Sequence, residues 1–404
     1  FQVLQLVKKY KKRFWGNTKK FLLFFFIFLL LFGADYTIGG NFSNDKELFS
    51  SPDTILVKFN PNVSFQLASE IHRQNGGTLD KIVPTINVHV VKIPAGKENT
   101  FIARYLKNPN VRYAEPDYLA TALATTNDPY LSQQWGMFKI EAANETNQSA
   151  WDVTNGNPTV KIAILDTGIE ITHQDLASKI VLSRNFTTSP TNSDKNGHGT
   201  HVAGVAAAIT NNNIGVTGVG YNSSLMNVKV LGDNGSGYYS WVASGIIWAA
   251  DNGAKVINMS LGGSSASQTL LDAVNYAWGK GVVLAAAAGN KDSNSPTYPA
   301  YYEKVMAVAA TDSNDQKASW STWGSWVDVA APGVSIYSTY KNNSYTSFSG
   351  TSMASPHAAG LAGLVWATKN LCSTNSCVRA RIENNADAIS GTGVLWTYGR
   401  INAF

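Results

Sequence analysis

From residue 128 onward the chain alternates two patterns. Short, largely apolar runs fall at 160–165, 224–230, 256–260, 282–287 and 305–309. Between them lie longer stretches rich in small and aliphatic residues, at 200–209, 241–252, 267–280 and 352–367. Strands that are apolar on both faces, alternating with helices, predict a parallel sheet covered on both sides. The expected fold is therefore α/β, a three-layer sandwich with a mostly parallel central sheet. Ligands of such sheets bind beyond the C-terminal ends of the strands, and the run 160–165 ends at Asp166.

The preceding region has a different rhythm. Residues 54–59 and 87–93 read as strands, 63–74 and 99–106 as helices, and 111–118 as a last strand, with Gly76-Gly77 ending the first helix. Two helices among short strands predict a small ferredoxin-like α+β unit of βαββαβ order over 52–119. Residues 120–127 are small and uncommitted, which marks a linker and a processing region ahead of a domain at 128–404.

Charge changes the picture only at the start. Of 32 Lys and Arg residues, seven lie within 1–20 with no acid, leaving 25 against 27 Asp and Glu in the rest. The body is thus near neutral and offers no broad basic patch for nucleic acid. The basic start runs into the apolar segment Phe21 to Phe32, too short to span a bilayer comfortably. That arrangement predicts a secretory signal over 1–34, cut after Ala34, with an uncleaved N-terminal anchor as the alternative and 35–51 as a spacer. An exported chain would carry no stable membrane association after processing. Its two cysteines, Cys372 and Cys377, would close a small disulfide loop. A content of 44% hydrophobic and 15% charged residues over 404 positions suits one large core plus a smaller domain, and excludes a disordered chain.

Three blocks carry chemistry: Ile164-Leu165-Asp166-Thr167-Gly168, Asn196-Gly197-His198-Gly199-Thr200-His201, and Gly350-Thr351-Ser352-Met353-Ala354. An acid, a base and a hydroxyl occur in the order Asp, His, Ser, one of the known solutions to serine-nucleophile catalysis. Ser352 opens a helix, whose N-terminus favours developing negative charge. His198 would take the hydroxyl proton and Asp166 would orient the imidazole. The Asn290 side chain and the Ser352 N–H would receive the oxyanion. Asp-Thr-Gly alone also suggests an aspartyl protease, but that class needs two acids sharing a proton and a second such block is missing. His201 lies one turn along the same helix as His198, and His357 reads as a packing histidine.

These blocks resemble the signatures of the subtilisin-like serine proteases, and the resemblance runs from Asp128 to the end. It implies catalysis by Asp166, His198, Ser352 and Asn290. It implies a cleft in which Gly235, Ser236 and Gly237 pair with one side of an extended peptide and Ser260, Leu261, Gly262 and Gly263 with the other. Ala287, Ala288 and Gly289 would line a large apolar pocket, giving broad action on polypeptide substrates with preference for large apolar or aromatic residues before the cut. The heat-stable, calcium-binding secreted members of the family imply a Ca2+ site from Asp128, Asp175 and Asn212 with the carbonyls of Ile209, Ile214 and Val216. Residues 52–119 resemble the inhibitory propeptide of the same family, which acts as an intramolecular inhibitor and is removed by self-processing within 119–127. The expected product is a secreted, monomeric endopeptidase. Two alternatives differ in kind. A processing protease of the prohormone-convertase type would need acidic subsites, and a non-enzymatic binding protein would not need all four catalytic groups.

Overall fold

The computed structural model describes residues 50–118, 126–144, 148–368 and 371–404. The predicted signal, nearly all of the spacer and most of the linker lie outside them. The chain divides into two compact units, Phe1–Leu119 and Ala120–Phe404.

The first unit runs β1 (Ser50–Phe59), α1 (Phe65–Asn75), β2 (Thr78–Val83), β3 (Val88–Lys92), α2 (Glu98–Tyr105) and β4 (Val111–Tyr118). The sheet order is β2-β3-β1-β4, with every pairing antiparallel. Ser64 caps α1 by accepting the Leu67 N–H, and the helix ends at Gly76 in the left-handed conformation. Ile55, Val57 and Phe59 of β1 pack with Ile71, Phe101 and Tyr105 of the two helices. The sequence assigned no range to β2. None of its residues is buried, so main-chain pairing with β3 defines it rather than an apolar pattern.

A polar chain crosses this small core. Tyr105 Oη lies 2.9 Å from His72 Nδ1, and His72 Nε2 lies 2.9 Å from His89 Nδ1. Both histidines are buried. Burial, with the neighbouring His89, holds the His72 pKa down at about 4, and burial with the Lys58 charge lowers that of His89. His89 had no distinguishing feature in the sequence.

In the second unit an eight-stranded sheet has the order β14-β11-β10-β9-β8-β5-β7-β6, and every neighbouring pair is parallel. Its strands are β5 (Lys161–Asp166), β6 (Ile180–Asn185), β7 (Ser224–Lys229), β8 (Val256–Met259), β9 (Val283–Ala287), β10 (Val305–Thr311), β11 (Val329–Pro332) and β14 (Gly399–Arg400). A hairpin, β12 (Ile336–Tyr340) and β13 (Ser344–Phe348), stands apart. The helices are α3 (Trp135–Lys139), α4 (Ala150–Val153), α5 (His198–Ala207), α6 (Tyr239–Asp251), α7 (Gln268–Gly279), α8 (Thr351–Ala367) and α9 (Asn375–Asn384).

Alternation along each strand splits the core in two. Ile162 and Ile164 of β5 pack with Val202 and Val205 of α5 and Ala354 and Ala358 of α8 on one face. Ala163 and Leu165 pack with Val242 and Ile246 of α6 and Leu270 and Val274 of α7 on the other. This is the predicted three-layer arrangement. Fully burying one such aliphatic side chain contributes about 1.5–3 kcal/mol. Chain order turns around beside β5, with β7 and β6 on one side and β8 onward on the other, so Asp166 sits at the switch point.

Sequence periodicity did not mark β6, β11, the hairpin, α9 or β14. The four-residue β11 ends in proline, and β14 has two residues. Helix α9 packs Val378 and Ile382 on the core, while its Arg379 pairs with Asp328 at 3.0 Å and, within the helix, with Glu383 at 2.5 Å. The expected disulfide joins Cys372, ahead of this helix, to Cys377 in its first turn. Trp320 packs on the main core and Trp326 donates to the Asn294 carbonyl, so these tryptophans pack a loop. Among the described residues no helix is long and apolar enough to cross a membrane.

Candidate active site

Strand β5 delivers Asp166, fully buried, to the end of the sheet. Its Oδ1 lies 2.7 Å from His198 Nδ1 and also accepts the Thr167 N–H. Oδ2 is buried without a hydrogen-bond partner. His198 opens α5 behind Gly197, whose φ of 106° favours glycine. At Gly199 a Cβ would stand 2.1 Å from the Gly168 carbonyl oxygen, so a bare residue is needed to seat the first turn of α5 against Asp166. Burial pulls the His198 pKa down, but the charge and hydrogen bond of Asp166, helped by the Asp194 charge, prevail and hold it above the ordinary histidine value.

Asp194 organises this corner, and the sequence reading missed it. One of its oxygens accepts from the Thr167 hydroxyl and the N–H groups of Asn196 and Gly197, and the other from the N–H and hydroxyl of Thr200. It satisfies the free donors at the start of α5 and so fixes His198. An acid just ahead of a helix that opens on Gly-His was the available signal. Behind the loop, buried Lys229 donates to the Thr167 carbonyl and pairs with Asp233 at 2.9 Å.

Ser352 is the second residue of α8. Pro356, four residues on, has no N–H to give to the Ser352 carbonyl. The Ser260 hydroxyl fills that role at 2.7 Å. Ser260 Oγ accepts from Asn258 Nδ2 at 2.9 Å, and Asn258 Oδ1 accepts from Ser355 at 2.7 Å, a buried network under the serine. Ser352 Oγ donates to the Ser260 carbonyl at 3.2 Å. Asn290 Oδ1 accepts from both the N–H and hydroxyl of Thr351, each at 2.9 Å, which turns its Nδ2 outward. A Cβ at Gly350 would stand 3.5 Å from Asn290 Nδ2 and 3.6 Å from Ser352 N. Both donors thus border the space that this glycine leaves open.

Two adjoining cavities hold most of the predicted cleft residues. One, of about 360 Å³, is lined by His198, Gly235, Ser236, Gly237, Ser260, Leu261 and Gly262. The other, of about 230 Å³, is lined by Leu261, Gly262, Gly263, Ala287, Gly289, Asn290 and Ser352. Leu261 and Gly262 form the shared wall. Two expectations need correction. Ala288 lines neither cavity: strand alternation turns it to the opposite side, against Trp396 and Val327. Gly263 exchanges both of its main-chain hydrogen bonds with Tyr298, so those groups are already engaged. The sequence also overlooked Lys291 in the second lining.

The remaining histidines of this unit belong to packing. His201 is buried, stacks on Phe348 and lies 3.0 Å from the Ile336 carbonyl oxygen. Burial lowers its pKa to about 3 and that of His357 to about 4.

The three expected side-chain ligands of calcium meet elsewhere on this unit. Asp128 accepts from the N–H groups of Asn211 and Asn212, and Asp175 accepts from Val216 N–H and Asn212 Nδ2. Both carboxylates are buried, and neither pairs with Lys or Arg among the described residues. Burial pushes the Asp175 carboxyl up to about 6 against its hydrogen bonds, and the Asp128 charge pushes the same way. Two buried carboxylates that form no ion pair among the described residues, beside the Asn212 amide, offer oxygen donors of the kind a hard cation takes, and the charge felt by Asp175 from the protein's own cations is that of Lys179. Among the described residues no three His, Cys, Asp or Glu side chains cluster, so such an ion would depend on carbonyl ligands as well.

The Subtilase family profile matches residues 157–400, and that of the fervidolysin N-terminal prodomain matches 50–117. The chain is 53% identical over 282 residues to thermitase of Thermoactinomyces vulgaris, covering 69% of this chain and 98% of that protein. It is 43% identical over 369 residues to a thermophilic serine proteinase of Bacillus sp. (strain AK1), covering 90% and 89%. A solved protease structure from Pseudoalteromonas arctica PAMC 21717 aligns with a TM-score of 0.63 at 33% identity, covering 69% of this chain and 98% of that one. The chain therefore belongs to the subtilase family, as a serine endopeptidase made with an N-terminal prodomain.

Proposed function

We propose that Ser352 is the nucleophile, His198 the general base and acid, Asp166 its orienting group, and Asn290 Nδ2 with the Ser352 N–H the oxyanion donors. The observation that carries this reading is the 2.7 Å pairing of His198 with buried Asp166, beside a cavity lined by Asn290 and Ser352. Ser352 Oγ attacks the scissile carbonyl carbon and its proton passes to His198 Nε2. Asp166 stabilises the imidazolium and keeps its own charge. The developing oxyanion is received by the two donors bordering Gly350. Collapse expels the amine, which takes the proton from His198, and water then cleaves the acyl-enzyme by the same groups. Ser352 Oγ leaves its 3.2 Å contact with the Ser260 carbonyl on the way. Such contacts are commonly loose before substrate binds.

The peptide lies extended between 235–237 and 260–262, adding a strand to the cleft. A large apolar or aromatic residue before the cut suits the second cavity, with its Leu261, Ala287 and Gly289 surfaces. Asp128, Asp175 and Asn212, with the carbonyls of Ile209, Ile214 and Val216, hold Ca2+, which supplies stability rather than chemistry. Residues 52–119 form a ferredoxin-like inhibitory propeptide, supported by the sheet order β2-β3-β1-β4. It is released by self-cleavage within 119–127 after export directed by residues 1–34, leaving 128–404 as a secreted catalytic domain.

The test is intact mass over time for purified precursor with Ca2+, beside its Ser352→Ala form. Trimming of the wild type alone, to a product starting within 120–128, is expected. Equal trimming of both forms, or of neither, would remove the assignment of Ser352 as the self-processing nucleophile.

A further inference from the structure

The cavity beside Ser352 carries a charge that its alanine and glycine surfaces do not suggest. Lys291 is the one ionisable residue among those lining it, and it directly follows Asn290. Ser293, Ser295 and Thr297 supply the rest of that polar wall and are neutral. The adjacent carboxylate, Asp292, is engaged by Lys317 at 2.7 Å. Lys317 also donates to the carbonyls of Ala318, Ser319 and Ser321, which holds its ammonium beside Asp292. Among the described residues no carboxylate pairs with Lys291, and its side chain is exposed. A cation at the rim of a substrate cavity, with its nearest acid already neutralised, acts on whatever side chain enters.

We propose that Lys291 extends the preference of this cavity to acidic side chains before the cut, glutamate above all, and turns it against lysine and arginine. The proposal rests on the reading of the cleft given above, in which this cavity takes the residue on the acyl side of the scissile bond. Glutamate suits it because two methylenes lie over the Ala287 and Gly289 surfaces while the carboxylate reaches the rim. Large apolar residues remain accepted, since the lysine stem packs along apolar groups while its ammonium stays in water. An exposed pair of this kind is worth about fivefold in rate at low salt, and less as salt screens it. The preference holds above about pH 5 and fades as the substrate carboxyl protonates near pH 4.3.

The test uses the full chain with Ca2+ after removal of its prodomain. Internally quenched peptides that differ only in Glu, Gln, Lys or Phe before the cut are compared by kcat/KM, with cleavage positions read by mass. Wild type is expected to favour Glu over Gln about fivefold at low salt. Lys291→Met should abolish that ratio, and Lys291→Glu should invert it while raising the rate on the Lys peptide. The melting temperatures of all three with Ca2+ report intact folding, and the Phe peptide reports that the catalytic groups still act. Normal cleavage of the Phe peptide with the same Glu to Gln ratio in all three proteins overturns the role of Lys291 alone. Cleavage that does not follow the varied residue overturns the assignment of the cavity, and the proposal with it.

Discussion

Asp166 presents one carboxylate oxygen to His198 and leaves the other buried without a partner, so its charge bears chiefly on the imidazole. The His198 pKa is raised, and in the proposed mechanism the neutral ring is the base. Activity should therefore climb with pH through a midpoint above the ordinary value of about 6.5. Asp166→Asn removes the attraction and leaves burial to dominate. The midpoint should then drop below the ordinary value, and kcat should fall by about 10⁴-fold. A kcat/KM profile against pH for both proteins checks this, and an unmoved acid limb would detach Asp166 from the base. At this scale the acid, base, hydroxyl and asparagine were legible because each lies in a short block of recognisable chemistry. Asp194, Thr351 and Asn258 were not. They act by turning another residue's side chain or satisfying its backbone, and partners as far apart as Asn258 and Ser355 meet only in the folded chain.

Elements of the first unit enclose a polar chain whose state depends on pH. The folded His72 pKa is about 4 and that of His89 is lowered. A base with a depressed folded pKa favours folding fully above its unfolded value of about 6.5. That stability is lost as pH falls from about 6.5 toward 4. For His72 alone the loss is on the order of 3 kcal/mol over that window. Hydrogen-exchange protection of β1 and β3 in the Ser352→Ala precursor, corrected for intrinsic rates, should weaken steadily across that window. Protection that stays level from pH 7 to 4.5 would mean that the pair does not govern the unit's stability. Periodicity found the long elements here and in the second unit, because each buries a face of its own. It missed β2, which is a partly exposed strand paired through its backbone, and β6 and β13, in which no residue is fully buried.

Across the whole catalytic unit, loops distant in sequence meet at Asp128, Asp175 and Asn212, where Asn212 hydrogen-bonds to both buried carboxylates and the Asp128 charge acts on Asp175. Removing Ca2+ with a chelator should lower the melting temperature while leaving the initial kcat unchanged well below the melt. An ion bound there as proposed would contribute about 2.7 kcal/mol at a hundredfold excess over Kd. Calorimetry with and without chelator, beside initial rates, checks it, and an equal melting temperature in both would exclude a stabilising ion. The sequence by itself determined the layering, the nature of the chemistry and the existence of a separate N-terminal unit. Apolar runs must be buried wherever they fall, and a catalytic block keeps its residue types whatever surrounds it. Tertiary structure alone decided which side chains share a cavity. Strand alternation sends Ala287 to the cleft and Ala288 to the core. Packing sets Lys291 at the rim while pairing Asp292 with Lys317. Proline at 356 makes Ser260 the partner of the Ser352 carbonyl, a contact between positions 92 residues apart. Such distances and directions depend on how strands and helices pack, which no local run of residues encodes.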